Sequence, residues 1–297
     1  MRILVTGASG WIGSASVKEL ISAGHQVLGL ARNDESAARI AGLGAEVVRG
    51  SLDDLASLRA AAAQAEGVVH LGYNHDFSQM AAAAQTDHAA IEAFADVLQG
   101  TGGPLLIASG LLGLATGRVG TEEDMPAPGG HPRLVNAAYT LGLADRGIRS
   151  MVVRFAPTVH GAGGDHGFIA VLAGIARDKG VSAYIGAGQN RWPAVIRLDA
   201  GKLVQLAIDK ATPRSVLHAA AEEGVTTREI ATALGQFLGL PVASIPAERA
   251  QQHFGWLGMF FGADIPASSA RTRAQLGWEP THAKLLEDIA AGHYPGR

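Results

Sequence analysis

Apolar residues are spaced along this chain in two alternating rhythms. Short, nearly unbroken apolar runs recur at Arg2–Thr6, Gln26–Ala31, Glu46–Arg49, Gly67–Leu71, Pro104–Ser109 and Ser150–Phe155. Runs of this length, rich in Val, Ile and Leu, read as strands covered on both faces rather than on one. Between them lie alanine-rich stretches of helical period at 35–41, 54–64, about 79–98 and about 134–146. Alanine at 61–63 and 81–84 is helix-forming composition, not low complexity. Strands alternating with such helices predict βαβ units, right-handed crossovers and a mostly parallel, doubly wound α/β sheet.

Beyond Pro157 the pattern changes. Glycine becomes dense across 161–167, residues 168–176 look helical, and 183–193 reads as a loop or hairpin. Thr226 and Glu229 have the spacing of a capping box. It opens a helix that puts Ile230, Ala233, Leu234, Phe237 and Leu238 on one face and ends at Gly239. Aromatic residues then cluster at Phe254, Trp256, Phe260 and Phe261. They suit core packing or an apolar wall over a substrate.

The first strand runs directly into Gly7-Ala8-Ser9-Gly10-Trp11-Ile12-Gly13, and a helical pattern follows at Val17, Leu20 and Ile21. Strand, glycine turn and helix together give the pattern its meaning as a dinucleotide-binding fingerprint. Gly7 permits the tight turn, Gly10 lets the backbone approach a pyrophosphate, and Gly13 lets the helix pack closely on the strand. The free N–H groups and positive end of that helix would face the diphosphate. The expected architecture is a Rossmann domain over residues 1–157, with a later strand returning near 190–220. Residues 158–297 form a smaller, mainly substrate-binding region.

Composition narrows the function classes. A formal net charge of −3 gives no basic footprint for nucleic acid or an anionic membrane surface. No apolar run approaches the roughly 20 residues of a membrane span, and the N-terminus does not read as a signal peptide. The chain has no cysteine, which removes disulfides, thiolate catalysis and cysteine metal ligands together. A soluble cytoplasmic protein acting on a small molecule is expected, with no nucleic-acid or membrane partner.

With those residues in hand, the chain resembles the short-chain dehydrogenase/reductase superfamily, in its extended and atypical group often labelled NAD-dependent epimerase/dehydratase. The resemblance runs through Thr6–Gly13, Ser51-Leu52, Val69-His70-Leu71-Gly72, Ser109, and Arg154 to Gly161. Asp199 and Leu276-Gly277-Trp278-Glu279-Pro280 extend it towards the C-terminus. It implies a nicotinamide cofactor held by the glycine turn, Ser51 and Leu52, His70, Leu71 and Gly72, and Pro157, Val159 and His160. It also implies a homodimer option through the long helices after the fourth and fifth strands.

One departure stands out. The family's usual catalytic pair is a tyrosine followed four residues later by a lysine. Of the four tyrosines here, Tyr73, Tyr139 and Tyr184 are followed at that spacing by Phe77, Leu143 and Gly188, and Tyr294 lies too near the end. Counted back from Arg146-Gly147, the tyrosine position falls near Arg133 and the lysine position near Ala137. Candidate replacements are Ser109 as a hydroxyl on the substrate, His75 as an acid oriented by Asp76, Arg133 as a fixed cation, and Tyr139. Each has a plain structural alternative in capping, solvation or packing. The glycine-rich spacing of His160 and His166 offers a metal no fixed scaffold, and none is expected.

Cofactor choice is read after the second strand, where a carboxylate favours NAD and an arginine accommodates a 2′-phosphate. Ala31 withholds the acid, Arg32 offers a guanidinium and Ser9 a hydroxyl, so NADP(H) is expected over NAD(H). The expected activity is an NADP(H)-dependent oxidoreductase reducing a small carbonyl or related C=X group. The alternatives are a nicotinamide-dependent epimerase or lyase, and a non-catalytic NADP-binding sensor.

Overall fold

The computed structural model describes residues 1–74, 79–115, 117–125 and 132–294. The chain begins as β1 (Arg2–Thr6), α1 (Trp11–Ser22), β2 (Gln26–Ala31), α2 (Asp34–Gly42), β3 (Glu46–Arg49) and α3 (Leu55–Ala62). It continues through β4 (Gly67–His70), α4 (Met80–Leu98), β5 (Pro104–Gly110), α5 (Pro132–Gly142) and β6 (Arg149–Phe155). These match the strands and helices expected from the apolar rhythm. The exception is the last helix, which ends at Gly142 and passes through a 3₁₀ turn, Leu143–Arg146, closed by left-handed Gly147.

After β6 come β7 (Thr158–His160), α6 (Phe168–Lys179), β8 (Ser182–Ile185), β9 (Arg191–Ile196), α7 (Arg197–Lys210) and β10 (Ser215–Ala219). The chain closes with β11 (Glu222–Thr226), α8 (Thr227–Leu238), β12 (Val242–Ile245), α9 (Ala250–Phe254), α10 (Gly258–Phe261), α11 (Ala270–Leu276) and α12 (Leu285–Ala290). The central sheet has the order β10-β6-β5-β4-β1-β2-β3, all parallel, so the strand order reverses between β1 and β4. That reversal opens a crevice at the carboxyl ends of β1 and β4, where ligands of open α/β sheets bind.

Both faces of the sheet are covered, which explains the continuous apolar strands. On one face Ile3, Val5, Val69, Leu106 and Val153 meet α1 and α7. On the other, Leu4, Val68, Leu105 and Val152 meet α3, α4 and α5. A third apolar cluster joins α6, α8, α9 and α10 around Trp192. The segment expected as a loop or hairpin at 183–193 instead divides between two small sheets. β8 pairs with β12, whereas β9 lies between β7 and β11. Left-handed glycines 186 and 188 turn the chain from one to the other.

The capping box forms as the spacing predicted. Glu229 N–H donates to Thr226 Oγ1 at 3.2 Å, and Thr226 N–H donates back to Glu229 Oε2 at 3.0 Å. Of the aromatic cluster, Phe254 and Phe261 are buried with ring centroids 5.0 Å apart, whereas Trp256 is 39% exposed. Among the described residues no helix is long and apolar enough to cross a membrane.

The closest helix packing on the sheet is α1 against α7. A Cβ added to Gly201 would stand 2.8 Å from the carbonyl carbon of Ala15. Replacing a mid-helix glycine with alanine ordinarily stabilises by about 1 kcal/mol. Here backbone would have to move, and overpacking of this kind costs roughly 1–3 kcal/mol. Gly201→Ala is therefore expected to lower stability in denaturant titration; a stabilised variant would show that α1 and α7 shift apart freely.

Candidate functional site

The crevice is built from backbone first. Gly7 has φ of +68°, and a Cβ there would lie 2.8 Å from Gly72 N, so the glycine turn and the chain leaving β4 touch directly. A Cβ on Gly13 would fall 2.0 Å from Gly7 O. Gly10 N–H donates to Gly7 O at 2.9 Å, and Gly10 begins α1 without a side-chain cap. The first-turn N–H groups of α1 are thus left for a ligand, beside the positive end of the helix dipole. Ala8 is buried beneath the turn; Ser9, Trp11 and Ile12 remain partly accessible.

Two further segments are drawn onto this turn. Trp11 Nε1 donates to the Val159 carbonyl at 2.8 Å, which joins β7 to the start of α1. The Arg197 guanidinium lies 4.3 Å from the Trp11 ring centroid. Leu52 lies alongside Gly72, and Ser51, Leu71 and Pro157 are half-buried nearby in sequence. Arg32, at the end of β2, is exposed.

Two expected cofactor contacts are corrected. His70 is buried, with Nδ1 2.7 Å from Thr6 Oγ1 and Nε2 3.2 Å from Asp87 Oδ1. Because Gly72 N–H donates to the same Thr6 oxygen at 3.0 Å, the imidazole braces the turn and has no edge left for a ligand. His160 is likewise buried, with Nδ1 3.0 Å from Asp288 Oδ2. Asp288 also binds His293 at 2.5 Å and the Tyr294 hydroxyl at 3.2 Å, so His160 anchors the C-terminal segment. His166 meets the edge of Trp11 instead, 6.1 Å between centroids.

The proposed replacements for the missing pair separate. Ser109 is 2% exposed at the end of β5, and its hydroxyl has no hydrogen-bond partner among the described residues. Thr158 Oγ1 is a second buried hydroxyl without one. Leaving such a group unsatisfied costs about 1–3 kcal/mol, which a bound ligand would relieve. Arg133, in the first turn of α5, stacks its guanidinium carbon 4.1 Å from the Tyr73 ring centroid. Ala137 is buried in the core and leaves a lysine no place there. Tyr139 is corrected: its ring packs on His88 with centroids 4.6 Å apart, and its hydroxyl is 3.5 Å from Glu92 Oε1, against α4. His75 and Asp76 lie outside the described residues.

The residues that the sequence reading missed form a buried chain. Asn136 Nδ2 donates to Asp87 Oδ2 at 2.7 Å, opposite the His70 contact. Burial raises the Asp87 carboxyl, but the His70 bond and charge, Asn136 and Arg133 outweigh it and hold it below the ordinary carboxylate value. Asp87, set among the alanines in the middle of α4 and more deeply buried than Asp96, was the available signal. The two late motifs also meet. Asp199 accepts from Thr281 N, His282 N and His282 Nδ1, and Trp278 Nε1 donates to the Asp199 carbonyl at 3.0 Å.

The model of the NAD dependent epimerase/dehydratase family matches residues 3–104. Along its length the chain is 46% identical to an uncharacterized protein of Schizosaccharomyces pombe, over 99% of this chain and 100% of that one. The chain belongs to the NAD-dependent epimerase/dehydratase family. A Saccharomyces cerevisiae protein, also uncharacterized, is 41% identical over 99% of both chains. A Streptomyces 3-diazoavenalumate denitrifying reductase is 29% identical over 97% of this chain and 99% of its own. The fold is that of the Thermus thermophilus UDP-glucose 4-epimerase in complex with NAD, at TM-score 0.76 and 21% identity over 100% and 99% of the two chains. The family binds a nicotinamide cofactor, and the uncapped turn, the missing Cβ atoms and the two unsatisfied hydroxyls fit one here.

Gly13→Ala is expected to weaken binding of NAD(H) and NADP(H) alike by about 100-fold or more, since a displaced turn misplaces every contact made from it. Calorimetry on folded variant checks this; unchanged affinity would show that α1 retreats without cost.

Beside the crevice, β5 and β6 pair Ser109 with Arg154, and buried Arg154 Nη1 lies 3.3 Å from His218 Nε2. His218 Nδ1–H donates to the Ser268 carbonyl at 2.8 Å, so Nε2 is the acceptor. Burial first, against the opposing pull of Glu122 and then with the aid of Arg154, lowers His218 from 6.5 to about 4. The unfolded chain therefore takes up this proton first. The contribution of neutral His218 is complete above pH 6.5 and is lost as pH falls towards about 4. His218→Gln should flatten the stability profile across that window by roughly 3 kcal/mol. An unchanged acid slope would assign it to other groups.

Proposed function

We propose that this protein is an NADP(H)-dependent oxidoreductase that reduces a small carbonyl or related C=X group. The observation that carries the reading is Ser109, a buried hydroxyl at the carboxyl end of β5 without a partner among the described residues. There it can donate to a substrate oxygen or nitrogen. When bound, the reduced dinucleotide supplies the hydride. The glycine turn and the start of α1 hold the diphosphate, and the chain after β4 lies against that turn. Positioning of this kind contributes several kcal/mol of barrier lowering before any acid takes part.

The preference for the phosphorylated cofactor is supported by the ion pairs around Arg32. Asp34 binds Arg49 at 2.5 Å and Glu35 binds Arg39, so both nearby carboxylates are already engaged. Asn33 caps α2 through Ser36. No ion pair or hydrogen bond holds the exposed Arg32 side chain among the described residues, and a 2′-phosphate is its natural partner. Reduction, rather than epimerisation, is favoured by the full-length relative named as a reductase. Its name also recommends adding an arenediazonium compound to the substrate panel.

Oxidation of NADPH, followed by its near-ultraviolet absorbance against aldehydes, ketones, enones, imines and an arenediazonium salt, tests the activity. Turnover is expected with at least one class; none, with tight NADPH binding, would favour the sensor reading. Arg32→Ala should weaken NADPH by about 10- to 100-fold, as a charge-assisted bond of roughly 1.5–3 kcal/mol implies, and leave NADH unchanged. Equal loss for both dinucleotides would remove the NADP assignment.

A further inference from the structure

Tyr73 has none of the sequence context of a catalytic tyrosine, yet its surroundings fix it in the crevice. It immediately follows Gly72, whose N–H is held by Thr6 Oγ1 and which lies against Gly7 of the glycine turn. The parallel register pairs His70 with Ile107, so the chain leaving β4 towards Tyr73 and the end of β5 that carries Ser109 emerge at the same edge of the sheet. From the other side Arg133 lies over the ring at 4.1 Å.

Those contacts close into a circuit. Gly72 binds Thr6, Thr6 binds His70, His70 binds Asp87, and Asp87 is held by Asn136, one turn of α5 from Arg133. The Asp87 carboxylate and the Arg133 guanidinium attract each other across it. Tyr73 therefore lies between a braced backbone and a braced cation.

We propose that Tyr73, clamped by Arg133, is the proton donor to the substrate heteroatom and stands in for the missing tyrosine–lysine pair. The proposal rests on the reductase reading above. For a ketone, the carbonyl carbon gains a C–H bond with the hydride of reduced dinucleotide, and the C=O π pair moves to oxygen. The Tyr73 O–H bond breaks as its proton passes to that oxygen, and solvent returns a proton to the phenolate. One ketone, one reduced dinucleotide and one proton give one alcohol and one oxidised dinucleotide. Burial raises the phenol above its ordinary value more than Arg133 lowers it, so the group is protonated when the substrate arrives. Ser109 shares the substrate oxygen as a second donor, and Arg133 is a positioning residue.

The test uses the full chain, NADPH and whichever panel compound the unaltered protein reduces. Tyr73→Phe is expected to lower kcat by about 10²- to 10⁴-fold, the span of a general acid, with KM and NADPH affinity little changed. Arg133→Met should lower kcat and move one phenol upward in the alkaline ultraviolet titration, a transition absent from Tyr73→Phe; Arg133→Lys should restore part of both. Full activity in Tyr73→Phe overturns the proposal while leaving the reductase reading intact. Loss of NADPH binding in that variant also overturns it, making Tyr73 a binding residue. No turnover by the unaltered protein removes both readings, and an unmoved phenol in Arg133→Met removes the clamp.

Discussion

Two stretches of backbone meet at the centre of this molecule with no Cβ between them. The chain leaving β1 at Gly7 and the chain leaving β4 at Gly72 are in contact, and Gly13 rests on the Gly7 carbonyl. This close approach sets where α1 starts and which way its free N–H groups face. It also sets where the residue after Gly72 stands. A methyl group at Gly7 would push the turn away from the chain that leaves β4, and one at Gly13 would push α1 away from the turn.

Polar groups then reinforce what the glycines permit. Thr6, His70, Asp87 and Asn136 are all buried, and each is satisfied by its neighbour in the chain of bonds. Buried charged pairs add little net stability, because desolvation offsets much of their attraction. What such a network contributes is a single arrangement: β1, β4, α4 and α5 cannot slide past one another without leaving a charge unpartnered. The same argument holds for Asp288, which ties His160, His293 and Tyr294 together.

Much of this was legible in the sequence. The strands of the central sheet and the glycine turn follow from apolar runs and φ requirements, both of which are local properties. Ser109 could be read as a candidate because strand ends are local too. His70 and His160 were misassigned because their partners, Asp87 and Asp288, lie 17 and 128 residues away, and nothing in a single sequence pairs them. Tyr139 failed for a related reason: its helix was right and its face was not. Tyr73 was passed over because it was judged by the residue four positions on, whereas its partner Arg133 comes from a different element.

The packing of α1 against α7 also bears on how the chain acquires its structure during synthesis. The glycine turn and α1 are made well before α7, so the surface around Ala15 receives its cover only when Arg197–Lys210 has followed. β10, the last strand of the large sheet, comes later still. An elongating chain therefore carries an open apolar flank until α7 has been made, and exposed surface of that kind makes incompletely folded chains prone to aggregate. The cradle for the cofactor is encoded well before the helix that supports it.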